Sequence, residues 1–347
     1  MQVTWDDYLS ISNAHGRFQD CRRRCERSFE HHRANIKCAV EVTKPKTVAC
    51  LGAGVLSDIP YDAIVRSGAS LHLVDWVRGS IDAGVDMSII HTDEGGTPHC
   101  LYCSPTIECP RSFCRRFEPA TSDAAVCRSF VPIQGQPMRC GAFERGEQPK
   151  VHYQDVTAGY ASEFGREILG ELRGVSSWKQ AFARAAALVE RIGRAAECTA
   201  IADSSVDLVT SSMVVSQFDH EPYDYFASRT AEMLGPPTAK EEKQLRPTLA
   251  SLRRTLLANQ VTRHCREIRR ILAPGGYCYM SFEMYHRLPE DPHWFLVDGM
   301  ADALETLGRH FHFNFDIIPR GDSVARFETG DSPSLVCSFM LAPKASE

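Results

Sequence analysis

Glycine and acidic residues early in the chain have the types and spacing of a nucleotide-binding turn. Gly52 and Gly54 follow the apolar residues 48–51, and Asp75 ends a second apolar run at 71–74. Glycines let the backbone approach a ligand where a Cβ would clash, and an acid at the end of the second strand can accept hydrogen bonds from two ribose hydroxyls. This stretch therefore predicts a strand, a glycine turn, a helix and a strand, with a site for an adenosine-bearing cofactor.

Cysteines concentrated between the second and third predicted strands could bind a metal. Cys100 and Cys103 lie on one tight turn, and Cys109 and Cys114 form a second, looser pair. Four thiolates suit the tetrahedral geometry of Zn²⁺, and metal binding can fold a segment that has little apolar material of its own. An iron–sulfur cluster, a thiophilic substrate such as a metalloid, and free thiols in a loop are the alternatives. Structural zinc is the interpretation that the spacing favours.

The elements that must position these residues alternate between apolar strands and helices. Strands are predicted at 48–51, 71–74, 151–155, 206–218 and 277–282, with a final antiparallel pair at 310–318 and 334–341. Helices are predicted within 5–37, 77–90, 162–197 and 240–272. The pattern predicts an α/β fold: a doubly wound, mostly parallel seven-stranded sheet with helices on both faces and an antiparallel edge hairpin. The predicted domains are an N-terminal helical lid (1–45), a Rossmann-like domain (46–91 and 151–347) and the Cys-rich insertion (92–150).

Composition restricts the class of partner. The formal net charge is −5 and the pI is near 6.2, which gives no reason to expect nucleic acid or an anionic membrane as partner. No apolar run approaches the roughly 18 residues of a membrane span, and the N-terminal sequence lacks the basic-then-apolar order of a signal peptide. We therefore expect a cytoplasmic protein whose partners are small molecules or proteins. The sequence predicts no oligomeric state.

Two adenosine cofactors compete for the glycine turn. A dinucleotide fingerprint requires a third glycine, and Ser57 occupies that position. The successive motifs instead resemble those of the class I S-adenosylmethionine-dependent methyltransferases over most of residues 47–341, apart from the Cys-rich segment. The motifs that carry the resemblance are, in order, CLGAG, LHLVD, YQDV, SVDLVTSSMVVSQF, REIRRILAPGGYCYMSF and a closing β-hairpin.

The resemblance implies S-adenosylmethionine as the cofactor. The glycine turn would face the methionine moiety, Asp75 would bind the ribose hydroxyls, and Asp155 would accept a hydrogen bond from the adenine amino group. The alternative role of both acids is to cap the helices that follow them. The family usually has an acid at the position of Cys50, so Asp58 or a residue of the N-terminal helices would have to hold the methionine end. The complete set of implied cofactor residues is Gly52, Ala53, Gly54, Asp75, Trp76, Asp155, Val156, Ser212 and Met213.

Methyl transfer is an in-line displacement, so the protein must align the acceptor, exclude water and remove a proton where the acceptor carries one. The candidates follow the fourth predicted strand: His220 or Asp219 as base, and Tyr223 in the acceptor pocket. Alternatively, Asp219 and His220 begin the next helix. The strand end lacks the Asn/Asp-Pro-Pro-Tyr sequence of enzymes that methylate amino groups of bases and glutamine, so a small-molecule acceptor is expected.

The alternative functions are an NAD(P)-dependent oxidoreductase and a non-catalytic methyltransferase-like scaffold.

Overall fold

The computed structural model describes residues 3–12, 16–77, 79–92, 98–100, 132–133, 136–140, 149–192, 199–288, 290–318, 323–329 and 332–345. The helices are α1 (Trp5–Ser12), α2 (Gly16–Thr43), α3 (Tyr61–Arg66), α4 (Ser80–Ile89), α5 (Tyr160–Glu171), α6 (Trp178–Arg191), α7 (His220–Leu234), α8 (Ala239–Ile271) and α9 (Met300–His310). The strands are β1 (Thr47–Leu51), β2 (Ser70–Asp75), β3 (Ile90–Thr92), β4 (Pro98–Cys100), β5 (Pro132–Ile133), β6 (Gln136–Cys140), β7 (Lys150–Tyr153), β8 (Val206–Ser212), β9 (Leu272–His286), β10 (Phe295–Leu296), β11 (Phe311–Asn314), β12 (Val324–Thr329) and β13 (Ser332–Pro343).

The central sheet has the strand order β7-β2-β1-β8-β9-β13-β11, with β10 paired to β9 and β12 paired to β13. The first five strands of this order are parallel. Strand β13 runs antiparallel between β9 and β11. The predicted doubly wound fold and its antiparallel edge pair are therefore confirmed, and the two short strands β10 and β12 enlarge the sheet from seven to nine strands.

The two faces of the sheet belong to different hydrophobic cores because successive strand residues point to opposite sides. On β1, Val48 packs in the core that includes Ile36 of α2, on the face that α3 and α4 also cover. Its neighbour Ala49 packs in the core formed by α8 and α9, with Val261 and Leu307. Helices on both faces thus leave the carboxyl ends of the parallel strands as the edge at which ligands bind in such sheets.

The Ala-Pro-Gly-Gly sequence produces a bulge where β9 begins. Val206 pairs with Leu272 and Leu208 pairs with Tyr277, so residues 273–276 have no partner in register on β8. Gly275 has a φ of 80°, a conformation that L side chains rarely adopt. The predicted turn between helix and strand is therefore present, although it lies inside β9.

Three predicted elements are shorter or divided in the structure. The fourth predicted strand ends at Ser212 and is followed by a short 3-10 helix, Val215–Gln217, instead of continuing to residue 218. The strand predicted at 310–318 comprises only Phe311–Asn314. The helix predicted at 162–197 is divided into α5 and α6, with Gly174 at a φ of 72° between them.

The predicted metal ligands Cys103, Cys109 and Cys114 lie outside the described residues. Cys100 ends β4, which pairs with β3. Within the described ranges, no group of three or more His, Cys, Asp or Glu side chains could hold a metal ion. The zinc site therefore stays a prediction.

Among the described helices, none is long and apolar enough to span a membrane.

Helix α1 is anchored by Trp5. The Trp5 side chain is 2% exposed and has ring neighbours in Tyr8, Trp76 and Tyr225, with centroids 5.2 to 5.9 Å away. A Cβ built on Gly165 of α5 would lie 2.1 Å from Trp5 Cδ2. Only glycine at position 165 therefore lets the indole reach this depth.

Gly165→Ala is expected to detach α1 from α5, because the added methyl group occupies the space of the indole. We expect increased hydrogen–deuterium exchange of residues 5–12. Gly170→Ala is the matched control on the same helix, since a Cβ there meets no atom within 4 Å. Its higher helix propensity should stabilise the protein by up to about 1 kcal/mol. Equal exchange in the two variants would contradict the anchoring role of Trp5.

Candidate functional site

The glycine turn brings an open Cα face to the carboxyl edge of the sheet. The N–H groups of Gly52 and Ala53 donate to the carbonyl of Val74 over 2.8 and 2.9 Å, so they tie β1 to β2. Gly54 has a φ of 49°, and a Cβ placed there would meet no atom within 4 Å. Space for a ligand therefore adjoins Gly54, whereas the N–H groups of Gly52 and Ala53 are already hydrogen-bonded to β2.

Asp75 is 8% exposed at the end of β2. Its Oδ2 accepts from the N–H of Gly54 at 2.9 Å, and its Oδ1 accepts from the N–H of Val77 at 2.8 Å. Burial raises the pKa of this carboxyl, and the hydrogen bonds from Val77 and Gly54 oppose the rise. The carboxylate thus fixes the turn, and each oxygen has a further lone pair for a ligand hydroxyl. The next residue, Trp76, is half-buried and contacts Trp5 at 5.8 Å between ring centroids.

The end of β8 packs directly on the glycine turn. A Cβ on Gly52 would lie 2.3 Å from Cγ2 of Val214. Met213 has a φ of 58°, and its N–H donates to the Ser281 carbonyl at 2.8 Å. The Ser212 and Ser281 hydroxyl oxygens are 3.0 Å apart. Ser212 and Met213 therefore lie next to the turn on a backbone held in a rarely populated conformation, which is common at functional sites.

Asp155 follows β7 and fixes the start of α5. Its Oδ1 accepts from the N–H and hydroxyl of Thr157, at 2.8 and 2.5 Å. Its Oδ2 accepts from the N–H and hydroxyl of Ser162, both at 2.9 Å. A carboxylate has about four lone-pair sites, so these contacts use its acceptor capacity. The capping alternative describes this geometry, and the adenine contact of Asp155 stays a prediction.

The backbone of Val156 is held by a buried imidazole from α8. His264 Nδ1 lies 2.7 Å from the Val156 carbonyl, and Nε2 lies 2.8 Å from the Ser211 hydroxyl. A carbonyl oxygen only accepts, so Nδ1 carries the proton and Nε2 accepts from the serine. Burial lowers the pKa of His264 to about 4. A neutral imidazole thus joins the loop after β7 to the carboxyl end of β8.

The three predicted catalytic residues lie at the start of α7. Asp219 is buried, makes no capping hydrogen bond, and accepts from Nε of Arg253 at 2.6 Å. The Arg253 guanidinium also lies 5.4 Å from the centre of the Tyr223 ring. Burial raises the pKa of Tyr223, and the charge of Arg253 opposes the rise. The structure brings Asp219 and Tyr223 together around Arg253 and leaves His220 exposed. Their catalytic roles stay predictions.

A buried carboxyl, Asp58, lies beside Cys50. Burial raises the pKa of Asp58 to about 6, and both the Ser212 hydroxyl and the charge of Arg33 oppose the rise. Arg33, on α2, donates to the carbonyl of Ser57. Burial also raises the pKa of the Cys50 thiol to about 12. The neutral Cys50 thiol supplies no charge here, whereas Asp58 and Arg33 place opposite charges near the glycine turn.

A second polar group beneath α2 was not predicted from the sequence. His32 Nδ1 is 2.9 Å from the Tyr279 hydroxyl, which is 3.1 Å from the hydroxyl of Ser338. Burial lowers the pKa of His32 to about 3, and the neighbouring His31 adds to this effect. The available signal was the presence of polar residues, Tyr279 and Ser338, inside otherwise apolar strands. Sequence spacing gave no signal, since His32 and Tyr279 are 247 positions apart.

No protein-family model matches the chain, and no curated protein matches it. A similar solved structure is a SAM-dependent methyltransferase from Methanosarcina mazei, with a TM-score of 0.37, 10% identity, and coverage of 87% of this chain and 93% of that one. A SAM-dependent methyltransferase from Mesorhizobium loti has a TM-score of 0.31 and 9% identity, over 87% and 95% of the two chains. An O-methyltransferase family protein from Burkholderia thailandensis has a TM-score of 0.33 and 10% identity, over 97% and 63%. At these low scores and identities, the likenesses assign no function to this chain.

Proposed function

We propose that this chain is a class I S-adenosylmethionine-dependent methyltransferase (EC 2.1.1) that acts on a small-molecule acceptor. The observation that carries the proposal is the open face of Gly54 beside the Asp75 carboxylate, where five parallel strands end. Ligands of open α/β sheets bind at this edge. A glycine without a neighbouring atom at its Cβ position accommodates a ligand against the backbone, and an adjacent buried carboxylate suits a ribose diol.

We propose that each residue around this edge contacts a different part of the cofactor. Asp75 would accept from the ribose hydroxyls, and Ser212 and Met213 would form the floor of the cleft. Arg33 would pair with the carboxylate of the methionine end, because guanidinium and carboxylate match in charge and hydrogen-bond geometry. When bound, the cofactor supplies a methyl group on a positively charged sulfur. Trp76 and Val156 would line the adenosine part.

A nicotinamide-dependent oxidoreductase is the second candidate. The dinucleotide-binding fold has the strand order 3-2-1-4-5-6, in which the sixth strand continues the parallel sheet. Here the strand next to β9 is β13, which is antiparallel. This arrangement, together with Ser57 in place of the third fingerprint glycine, favours a single-nucleoside cofactor. A non-catalytic scaffold would have the same fold and transfer no methyl group.

Calorimetric titration of the chain with S-adenosylmethionine and with NAD⁺ tests the proposal. We expect binding of S-adenosylmethionine in about the micromolar range and no binding of NAD⁺. Binding of NAD⁺ with no binding of S-adenosylmethionine would overturn the proposal in favour of the oxidoreductase.

Gly54→Ala is expected to weaken S-adenosylmethionine binding by about 10-fold to 100-fold, because a methyl group forced against a bound ligand costs about 1–3 kcal/mol. Gly68→Ala is the matched control. Gly68 has a φ of 76° and also meets no atom within 4 Å of a built Cβ, but it lies between α3 and β2 at the opposite edge. Equal affinities of the two variants would show that the open face of Gly54 does not contact the cofactor.

A further inference from the structure

Arg253 of α8 is held in one orientation beside the start of α7. Its Nε donates to Oδ2 of Asp219 at 2.6 Å, and its guanidinium carbon lies 5.4 Å from the centre of the Tyr223 ring. Asp219 is 7% exposed, so the partner of Nε is itself fixed by packing. A charged hydrogen bond at one edge and an aromatic ring on one face together restrict the rotation of the guanidinium plane.

The two Nη groups of Arg253 have no protein partner. Arginine–carboxylate pairs elsewhere in the structure use an Nη group, as in Arg191, Arg229, Arg270 and Arg309. Arg253 pairs through Nε alone, and no oxygen of the described residues accepts from its Nη1 or Nη2. Neither nitrogen belongs to the buried side-chain atoms that lack a partner, so both reach solvent. Four N–H bonds of a fixed, accessible fork are therefore free to bind a ligand.

This fork lies at the carboxyl edge of the sheet. Asp219 is five residues beyond Val214, whose side chain would meet a Cβ on Gly52 of the glycine turn. Phe218, next to Asp219, packs edge-on against His264 at 5.1 Å between ring centroids, and His264 hydrogen-bonds the end of β8. Five residues span at most about 18 Å. A small molecule bound to the fork can therefore reach toward the glycine turn.

We propose that Arg253 binds the carboxylate group of the methyl acceptor, so that the acceptor is a small carboxylic acid. The inference rests on the proposed methyl transfer and names the acceptor class of that site. A carboxylate presents two oxygens at the spacing of the two Nη groups, and a pair of parallel N–H···O bonds fixes its orientation. The Tyr223 ring beside the fork offers an apolar surface to the rest of the acceptor. Arg253 is then the residue that determines acceptor specificity.

Charges around the fork favour a carboxylate over a phosphate. Asp219 balances the charge of Arg253 over 2.6 Å, and Asp224 adds a negative charge near Tyr223. Arg254, the next residue on α8, is exposed and adds one positive charge. A phosphate ester carries a charge of about −1.5 to −2 at neutral pH and would be repelled by both carboxylates. A monoanion that binds through hydrogen-bond geometry fits this environment.

Nuclear magnetic resonance of protein with ¹⁵N-labelled arginine tests the proposal. Acetate and benzoate are titrated at constant ionic strength in the presence of S-adenosylmethionine, and the neutral acetamide and benzamide serve as controls. We expect the acids to shift the Arg253 signals saturably, with a dissociation constant for benzoate in about the millimolar range, and the amides to leave them unchanged. Arg253 signals that ignore both acids, or that follow acids and amides equally, would overturn the inference. Tighter binding of phenyl phosphate than of benzoate would overturn the choice of a carboxylate.

Two glutamine variants remove the same charge from neighbouring positions of α8. Only Arg253→Gln removes the fork, so its affinity for benzoate should fall about 10-fold to 100-fold. Arg254→Gln is the matched control, and its affinity should change by less than about twofold, as for an exposed charge. Equal losses in these two variants would show that charge alone, and not the fork, attracts the acid.

Arg253→Lys keeps a positive charge beside Asp219, so the test does not depend on the folding of the glutamine variant. A lysine has no planar fork, and its affinity for benzoate should therefore also fall about 10-fold or more. All variants are checked for a cooperative thermal transition. Wild-type affinity in Arg253→Lys would overturn the inference.

Calorimetric titration of the wild type with S-adenosylmethionine separates this inference from the proposed function. A protein that binds the cofactor but neither acid overturns the acceptor class alone. A protein that binds benzoate at Arg253 but not S-adenosylmethionine overturns the proposed methyl transfer.

Discussion

Asp75→Asn is expected to raise the dissociation constant for S-adenosylmethionine by about 100-fold or more, because each hydrogen bond to a charged group contributes about 1.5–3 kcal/mol. The carboxylate accepts from Gly54 and Val77 while it faces the proposed ribose site. An amide offers only one acceptor oxygen, so its NH₂ group faces the N–H of Gly54 or of Val77 and cannot accept from a ribose hydroxyl. Isothermal titration calorimetry measures the change.

Asp207→Asn is the matched control for this substitution. Asp207, near the start of β8, also accepts two backbone N–H groups, both on Oδ2, from Lys46 and Thr47 at 2.8 and 2.9 Å, but it lies beside the start of β1, on the opposite edge of the sheet. Because one oxygen accepts both N–H groups, the amide introduced by Asp207→Asn can keep both hydrogen bonds, so we expect little loss of stability and an unchanged cofactor affinity. If both variants lost affinity equally, the effect of Asp75 would be a general loss of folding and not a lost ribose contact.

Gly52→Ala is expected to destabilise the protein by about 3 kcal/mol. A left-handed backbone costs an L residue roughly 1–2 kcal/mol, and overpacking adds about 1–3 kcal/mol. Both apply, since Gly52 has a φ of 72° and its added methyl group would lie 2.3 Å from Val214. The shift of the urea unfolding midpoint, at an unchanged denaturant slope, measures the loss.

The double variant Gly52→Ala/Val214→Ala separates the two causes. Removing the Val214 methyl groups relieves the clash but not the backbone strain, so we expect it to recover about 1–2 kcal/mol relative to the sum of the single variants. Simple additivity would mean that the glycine is required for its backbone conformation alone.

The parts of the fold that could be predicted depend on local patterns. Apolar runs ending in Gly52 and Asp75, and the Ala-Pro-Gly-Gly bulge, are contiguous in sequence, and the structure contains them where they were expected. Strand β12 was not predicted, because among its residues with a described side chain only Phe327 joins a core, and its pairing with β13 defines the strand. The end of β8 was also missed, since the turn at Met213 depends on contacts with β9.

The candidate site likewise has contacts that local sequence spacing predicted and contacts that it could not predict. The glycine turn and Asp75 are 21 positions apart in a single unit, so their spacing was enough to predict that they meet. The contact of His32 with Tyr279 and the pairing of Asp219 with Arg253 require the completed sheet and helices. Sequence spacing alone could not distinguish a buried partner of Arg253 from a free base at Asp219.

The position of β13 has a consequence for synthesis on the ribosome. This strand is the last of the described chain, yet it lies between β9 and β11 and hydrogen-bonds to both. Until it emerges, the outer edge of β9 has unpaired backbone groups, which are a template for pairing with other chains. The nascent protein is therefore prone to aggregation between the synthesis of β9 and that of β13, and completion of its sheet is a long-range folding step.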